Sequence, residues 1–153
     1  MLSATSQHAL RALVHLSRLP PAVSILGRDL ARQAAIPANY LAKILLTLRN
    51  AGIVETTRGQ GGGYRLGKPA SQIRLIDVVE LFEGLAGRRG CLLGERHDCS
   101  DATPCAAHDS WKLVKQAYLD FLESKTVADI STPAAAVQPY SQAAAGLEHR
   151  GFR

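Results

Sequence analysis

The sequence predicts a mostly helical protein with a small β wing: a winged helix-turn-helix domain followed by a long dimerisation helix. Two short helical segments are separated by a tight turn, a glycine-rich hairpin follows them, and a long amphipathic helical segment lies further along the chain. We predict a winged helix-turn-helix domain at 1–68, a cysteine-containing loop with the dimerisation helix at 69–130, and a disordered tail at 131–153.

The first three helices follow from apolar periodicity and from helix-stopping residues. Apolar side chains recur at helical spacing from Ala9 to Leu16, and Pro20-Pro21 end that helix. A second helix is predicted at 27–34, with a turn at 35–38 and a third helix at 39–50. The predicted buried stripe of the third helix is Leu41, Ile44, Leu45 and Leu48.

A hairpin is predicted directly after the third helix. Residues 53–57 have strand character, 64–66 form the return strand, and the glycine-rich segment 58–63 lies between them. Glycine permits a close backbone approach to another surface, so a basic tip of this kind suits a wing lying along a DNA groove. A plain flexible hairpin is the alternative, and a phosphate-binding loop is disfavoured because no Lys-Ser/Thr ending follows the glycines.

Helical periodicity returns at 73–84, with Gly84 as the expected C-cap. Thr103 and Pro104 have the residue types of an N-cap and a first helical position, which predicts a helix from Pro104 to about Lys125. Its apolar residues form a coiled-coil-like seam that favours dimerisation over packing within one chain: Trp111, Val114, Tyr118, Phe121 and Leu122. A short helical turn is expected at 126–130.

Charge is distributed unevenly along the chain. Residues 1–70 hold nine Lys or Arg against two acidic residues, a net charge of +7, whereas residues 71–153 have a net charge of −2. This asymmetry favours a polyanionic partner for the N-terminal part, because Lys and Arg displace the counterions of nucleic acid phosphates. No apolar run is long enough for a membrane span and no signal peptide is recognisable, so cytoplasm is the expected compartment.

The cysteines indicate a ligand set. All three lie in one fifteen-residue window, Cys91, Cys99 and Cys105, and His108 follows three positions later. Three thiols and an imidazole can supply the four ligands of a tetrahedral zinc ion or of an iron-sulfur cluster. In the predicted helix, Cys105 occupies the first turn, where the helix dipole would stabilise a thiolate.

Several sequence blocks together resemble the Rrf2 family of winged helix-turn-helix transcription regulators, in its iron-sulfur-sensing, IscR-like and NsrR-like branch. The blocks are TSQHALRAL at 5–13, YLAKIL at 40–45, AGIV at 51–54, RGQGGGYRL at 58–66 and IRLIDVV at 73–79. The resemblance spans roughly residues 2–130. It implies a homodimer, an iron-sulfur cluster held by the cysteines, and binding to double-stranded, palindromic promoter DNA that changes with the state of the cluster.

The resemblance also implies particular contacts. By position, the residues at the major groove would be Pro37, Ala38, Asn39, Tyr40 and Lys43, and those in the minor groove would be Arg58 and Gln60. Asn39 can pair with adenine edges, and Lys43 suits a phosphate. Ala42 stands where some relatives carry an acidic, discriminating residue, so their sequence preference does not transfer.

The implied metal ligands are Cys91, Cys99, Cys105 and His108, with a 2Fe-2S cluster favoured over a 4Fe-4S cluster. Seven residues separate Cys91 from Cys99, where the IscR-like branch would have about five. The other candidates for the fourth ligand are His97, Asp98, and Gln7 or His8 of a second copy. Two alternative regulators remain open: a zinc-stabilised DNA-binding protein and a thiol sensor without metal. An enzyme is disfavoured because the sequence offers no evident nucleophile, base and orienting group together.

Overall fold

The computed structural model describes residues 2–59, 62–84, 91 and 100–131. Its helices are α1 (Ala4–Ser17), α2 (Gly27–Gln33), α3 (Ala38–Asn50), α4 (Leu75–Glu83), α5 (His108–Ser124) and α6 (Val127–Ser131). Strands β1 (Val54–Thr57) and β2 (Gly63–Leu66) form a two-stranded antiparallel sheet, and a 3-10 turn (Ala70–Gln72) precedes α4. The mostly helical fold with a two-stranded wing is the predicted one. The tail was predicted to be disordered from residue 131, but Ser131 is the last residue of α6, and the rest of the predicted tail, 132–153, lies outside the described residues.

Helix α1 is capped at its start and forms much of the core. The Ser3 hydroxyl accepts a hydrogen bond from the Ser6 N–H at 3.2 Å, which satisfies one of the unpaired donors of the first turn. The helix ends at Ser17, before the two prolines that predict its end. Its buried residues, among them Ala9 and Leu13, face α3, α4 and α6.

The turn between α2 and α3 is tight, and a side chain of α1 forms a hydrogen bond with it. Ala35 has a φ of 51°, in the left-handed region that a non-glycine residue rarely adopts. The Arg11 guanidinium donates a hydrogen bond to the Ala34 carbonyl oxygen at 3.1 Å, and Ile36 beside it is buried. The predicted stripe of α3 is confirmed as the buried one: Leu41, Ile44, Leu45 and Leu48. Packing of this stripe fixes which face of α3 meets solvent.

The wing is anchored to the segment before α2. Ile25 bridges Tyr64 through two backbone hydrogen bonds of 3.0 and 2.8 Å, which extends the β1–β2 sheet. A Cβ atom at Gly63 would lie 2.3 Å from the Ile25 carbonyl oxygen, so only glycine allows this approach. At the tip, Gly59 has a φ of 97°, which also favours glycine.

The C-terminal helices close the core against α1 and α4. Leu122 of α5 and Val127 of α6 are fully buried in the same cluster as the helix-turn-helix residues. The hydroxyl of Thr126 and the carboxylate of Asp129 cap each other's backbone N–H groups, at 3.4 and 2.7 Å respectively. The Asp129 carboxylate accepts hydrogen bonds from the Thr126 backbone N–H and, at 2.8 Å, from the Thr126 hydroxyl, and both lower the pKa of Asp129. Helix α6 is thereby held at its first turn.

The predicted start of the long helix is wrong. Helix α5 begins at His108 rather than at Pro104. Thr103 does not cap it, because Ser100 and Thr103 form their own turn, with two backbone hydrogen bonds of 3.1 and 3.3 Å between them. Short polar side chains compete in this way with helix initiation. Cys105 therefore precedes the helix instead of occupying its first turn.

Candidate nucleic-acid interface and metal centre

The face of α3 opposite its buried stripe is exposed along the length of the helix. Pro37, Ala38, Asn39 and Lys43, four of the residues implied at the major groove, are all exposed there. The same face carries Leu46, whose residue surface is 51% exposed. Leu46 is not among the contacts that the family resemblance implies, although its position away from the buried stripe could have identified it.

Tyr40 is placed differently from its neighbours on α3. It is half-buried, its phenol forms a short hydrogen bond with the Thr5 hydroxyl of α1, and its ring meets the His8 ring edge-on at 5.5 Å. The Arg11 guanidinium lies 3.1 Å from Nδ1 of His8. Tyr40 therefore connects the start of α3 to α1.

The wing tip presents a positive charge. Arg58 is exposed at the end of β1, whereas Gln60, also implied in the minor groove, lies outside the described residues. Arg65 on β2 forms a cross-strand ion pair with Glu55 at 2.5 Å, which partly offsets its charge. Neither Lys43 nor Arg58 forms an ion pair with any residue that the structure describes. The positive field of the domain is thus available on both α3 and the wing.

Two of the four implied metal ligands lie together. The Sγ atoms of Cys91 and Cys105 are 3.7 Å apart, and both residues are partly buried. Two thiolates bound to one tetrahedral metal at about 2.3 Å lie roughly 3.8 Å apart, whereas a disulfide requires about 2.05 Å. The separation of the two sulfurs therefore fits a shared metal ion.

His108 lies one turn beyond Cys105 and contacts a carboxylate. Its N–H donates to the Cys105 carbonyl oxygen at 3.0 Å, and its Nε2 atom is 2.9 Å from Oδ1 of Asp101. Lys112 donates to the same carboxylate oxygen at 2.7 Å. Hydrogen bonds from Lys112 and then from His108 lower the pKa of Asp101 to about 2. Metal-bound histidines commonly have a carboxylate at their other ring nitrogen, and sequence reasoning did not identify Asp101 in that role.

The described residues form only part of the implied ligand set. Cys99, His97 and Asp98 lie outside them. Within the residues that are described, no group of three or more His, Cys, Asp or Glu side chains has the arrangement of a metal site. The observed part is therefore the pair of Cys91 and Cys105, with His108 and Asp101 beside it.

The helix-turn-helix, the basic wing and the solvent-facing side of α3 together define a winged helix-turn-helix DNA-binding protein. The Rrf2 family, described as iron-dependent transcriptional regulators, matches residues 2–133. The chain belongs to this family, so the resemblance found in the sequence is confirmed. It is a DNA-binding transcription regulator and not an enzyme.

Individual relatives agree with this assignment. Rv1287 of Mycobacterium tuberculosis, named as an HTH-type transcriptional regulator, is 33% identical over 131 residues, which cover 85% of this chain and 80% of the relative. The solved structure of CymR, the global cysteine regulator of B. subtilis, matches with a TM-score of 0.72 at 24% identity, over 86% of this chain and 95% of CymR. IscR of T. potens matches with a TM-score of 0.69 at 24% identity, over 92% of this chain and 94% of IscR. These two likenesses establish the fold.

The sequence predicts no membrane-spanning segment, and the helices of the structure can be compared with that prediction. Among the described residues, none of the helices combines the length and the apolar character that crossing a bilayer requires.

Proposed function

We propose that this regulator is a cytoplasmic homodimer whose affinity for promoter DNA is controlled by an iron-sulfur cluster, with a 2Fe-2S cluster favoured. The proposed ligands are Cys91, Cys99, Cys105 and His108. The proposal is based mainly on the 3.7 Å separation of the Cys91 and Cys105 sulfurs. The description of the family as iron-dependent supports iron as the metal.

The chemistry of the donors supports a cluster over zinc. Thiolates are soft ligands that suit both zinc and iron-sulfur clusters. Structural zinc sites, however, use short spacings of two to four residues between paired cysteines, and here seven and five residues intervene. Longer intervals suit a loop that encloses a larger inorganic group.

The position of the cysteines suggests how the state of the cluster would reach the DNA-binding surface. Cys91 lies eight residues after the end of α4, and Cys105 lies three residues before the start of α5, so one group that held both sulfurs would limit how far these two helix ends can move apart. A bound cluster would supply a group that oxidants, nitric oxide or iron shortage can alter. Separation of the cysteines would then let the start of α5 move relative to α4, while Leu122 keeps the end of α5 in the core, and would change the angle between the two DNA-binding heads of the dimer.

The proposed dimer surface is a stripe on α5. The predicted seam divides in two, since Leu122 is buried in the core and Tyr118 packs against it, whereas Val114 and Phe121 are 57% and 50% exposed. Leu113 is 73% exposed beside them. Adjacent exposed apolar residues of this size are typical of an interface. A second copy of α5 would bury them.

The proposed DNA contacts follow the exposed residues of α3 and the wing. Pro37, Ala38, Asn39 and Lys43 would enter the major groove, and Tyr40 would also hold α3 against α1. Arg58 and Gln60 would enter the minor groove, where a narrow groove has a strong negative potential. A two-fold dimer would bind half-sites about one helical turn apart, roughly 34 Å.

Anaerobic purification tests the cluster directly. The wild-type protein should be coloured and should contain iron and acid-labile sulfide, and both Cys105→Ser and His108→Ala should lose most of the colour. His15→Gln, which changes a histidine outside the ligand set, serves as the control. Colourless, iron-free wild-type protein would contradict the proposal, and zinc in its place would favour the zinc-stabilised alternative.

The regulatory part needs a separate measurement. A duplex enriched by the wild-type protein from a randomised library would be titrated with cluster-containing and cluster-free protein at one salt concentration, because salt alone changes the affinity strongly. We expect affinities that differ at least several-fold. Equal affinities would remove the switch while leaving DNA binding intact.

A direct thiol switch is the second candidate, and the same pair of sulfurs favours it. Cys91 and Cys105 would need to approach by roughly 1.7 Å to form a disulfide. The two thiols would lose two protons and two electrons to an oxidant such as a peroxide or another disulfide. Mass spectrometry of the Cys91 and Cys105 peptides after such treatment of metal-free protein distinguishes this candidate from the cluster.

A further inference from the structure

Leu46 is a large apolar residue on the solvent-facing side of a helix whose other large aliphatic residues are buried. At 3.6 residues per turn it lies roughly 150° around α3 from the centre of the stripe formed by Leu41, Ile44, Leu45 and Leu48. Its residue surface is 51% exposed, whereas each residue of the stripe is at most 2% exposed. Packing of the core therefore does not account for a leucine at this position.

The neighbours of Leu46 place it among residues suited to a DNA groove. Asn39, Ala42 and Lys43 are exposed on the same side of α3. Together with Leu46 they have the spacing i, i+3, i+4 and i+7. In the homeodomain, another helix-turn-helix protein, the four base-reading positions of the recognition helix have this same spacing. Leu46 lies about 10 Å along the helix axis from Asn39, which is two turns further into the groove.

The chemistry of Leu46 selects one kind of base pair. In the major groove only thymine presents an apolar group, its C5 methyl, and apolar side chains recognise it by contact. A leucine facing guanine or cytosine would instead displace the water molecules that are hydrogen-bonded to the polar base edges, and it offers no hydrogen bonds in their place. The methyl group of Ala42, one turn earlier, extends the apolar strip.

We propose that Leu46 is a specificity-determining residue that reads a thymine methyl group in each half-site of the DNA. The net charge of +7 over residues 1–70 favours a duplex over an uncharged partner on this face. The inference rests on the proposed placement of α3 in the major groove, and it adds a residue and a base preference to that placement.

Replacement of thymine by uracil tests the proposal, because uracil differs only by the missing methyl group. The duplex enriched from a randomised library by wild-type protein would carry deoxyuridine at each T·A pair in turn. We expect one pair in each half-site at which this change weakens wild-type binding about fourfold, the value of one buried methyl group. Leu46→Ala should bind the thymine and uracil duplexes equally.

Two variants serve as controls. Leu46→Met keeps an apolar side chain of similar length and should retain the preference for thymine. Val23→Ala shortens another exposed apolar side chain, in the loop between α1 and α2, and it should also retain the preference. The dependence of affinity on salt should be the same for all variants, because none of them removes a phosphate contact.

The outcomes separate this inference from the proposed function. Tight binding by the wild-type protein with no effect of uracil at any position, or an enriched sequence without T·A pairs opposite α3, would overturn the role of Leu46 and leave DNA binding intact. An undiminished uracil effect in Leu46→Ala would also overturn it. Failure of the library to yield any bound duplex would overturn the placement of α3 itself, and the inference with it.

Discussion

The Glu83 carboxylate accepts a hydrogen bond from the Ser3 N–H at 2.7 Å and so joins the end of α4 to the start of α1. Ser3 is also the N-cap of α1, where its hydroxyl accepts from the Ser6 N–H. One residue thus serves both helices. The end of α4 is also where the chain continues toward Cys91. A shift of Glu83 would therefore change its hydrogen bond with Ser3 at the first turn of α1.

The first turn of α1 also contacts the DNA-binding helix. Thr5, two residues after Ser3, forms the hydrogen bond with the Tyr40 hydroxyl at the start of α3. Glu83, Ser3, Thr5 and Tyr40 therefore connect the end of α4 to α3 through the first turn of α1. Substitution at Glu83 measures the coupling between these two helix ends.

Glu83→Ala should weaken both stability and regulation. Loss of the acceptor leaves the Ser3 N–H without this partner, so the free energy of unfolding should fall by about 1 kcal/mol, as measured by urea denaturation. The ratio of DNA affinities between cluster-containing and cluster-free protein should approach one. Glu83→Gln keeps an acceptor oxygen and is the matched control. An unchanged affinity ratio in Glu83→Ala would exclude this route of coupling.

Local patterns in the sequence predicted most of the fold. The stripe of α3, the prolines after α1 and the left-handed Gly84 after α4 each express a short-range rule, and each is confirmed. The start of α5 was wrong because Thr103 has the residue type of a cap but bonds with Ser100 instead. Residue type alone does not reveal which of two local hydrogen-bond partners is chosen.

The site is harder to predict because its contacts join distant parts of the chain. Clustered cysteines indicated a ligand set, but only the fold shows that the sulfurs of Cys91 and Cys105 lie 3.7 Å apart. The pairing of Tyr40 with Thr5 crosses 35 positions, and that of Glu83 with Ser3 crosses 80. No periodicity in a single sequence encodes such pairs, since they depend on how the helices pack.

His15 should make stability dependent on pH. In the folded protein the pKa of this histidine lies below 6.5. Partial burial is the largest cause, and the positive charges of Arg18 and Arg11 add to it. The unfolded chain therefore takes up the proton at a higher pH, so this contribution to stability is complete above pH 6.5 and is lost as the pH falls through the folded pKa. Since His15 is partly solvated, we expect a decrease of at most a few degrees in Tm.

His15→Gln removes this titration and provides the comparison. The difference in Tm between the variant and the wild-type protein should be constant above about pH 7.5 and should shift in favour of the variant between pH 6.5 and 5. Calorimetry over that range measures it. A constant difference at every pH would mean that protonation of His15 does not affect folding.

The exposed stripe on α5 should be required for dimerisation. Val114→Glu or Phe121→Glu would place a charge in the proposed interface, where an unpaired carboxylate costs several kcal/mol, so dissociation should increase by more than about 100-fold. Sedimentation should then detect monomers, with the helical circular dichroism unchanged. Leu46→Glu alters an equally exposed apolar residue on α3 and should leave the dimer intact. Dimers that persist in both α5 variants would place the interface elsewhere.

Asp101 should hold His108 in the orientation needed for metal binding. Its carboxylate contacts Nε2 of His108, and this contact would leave the other ring nitrogen, Nδ1, to bind the metal. With a pKa of about 2, Asp101 is ionised throughout the physiological pH range. Asp101→Asn keeps the size of the side chain but removes its charge, and it should lower metal affinity by about 10- to 100-fold. Competition with a chelator, monitored by the visible absorbance of the anaerobic protein, measures the loss.

Asp109→Asn is the control, because it removes the charge of an exposed carboxylate directly after His108. It should leave the metal affinity unchanged. If a general loss of negative charge near the site were the cause, both variants would lose affinity alike. Equal retention of iron by Asp101→Asn and wild-type protein would mean that the contact with His108 serves only the local fold.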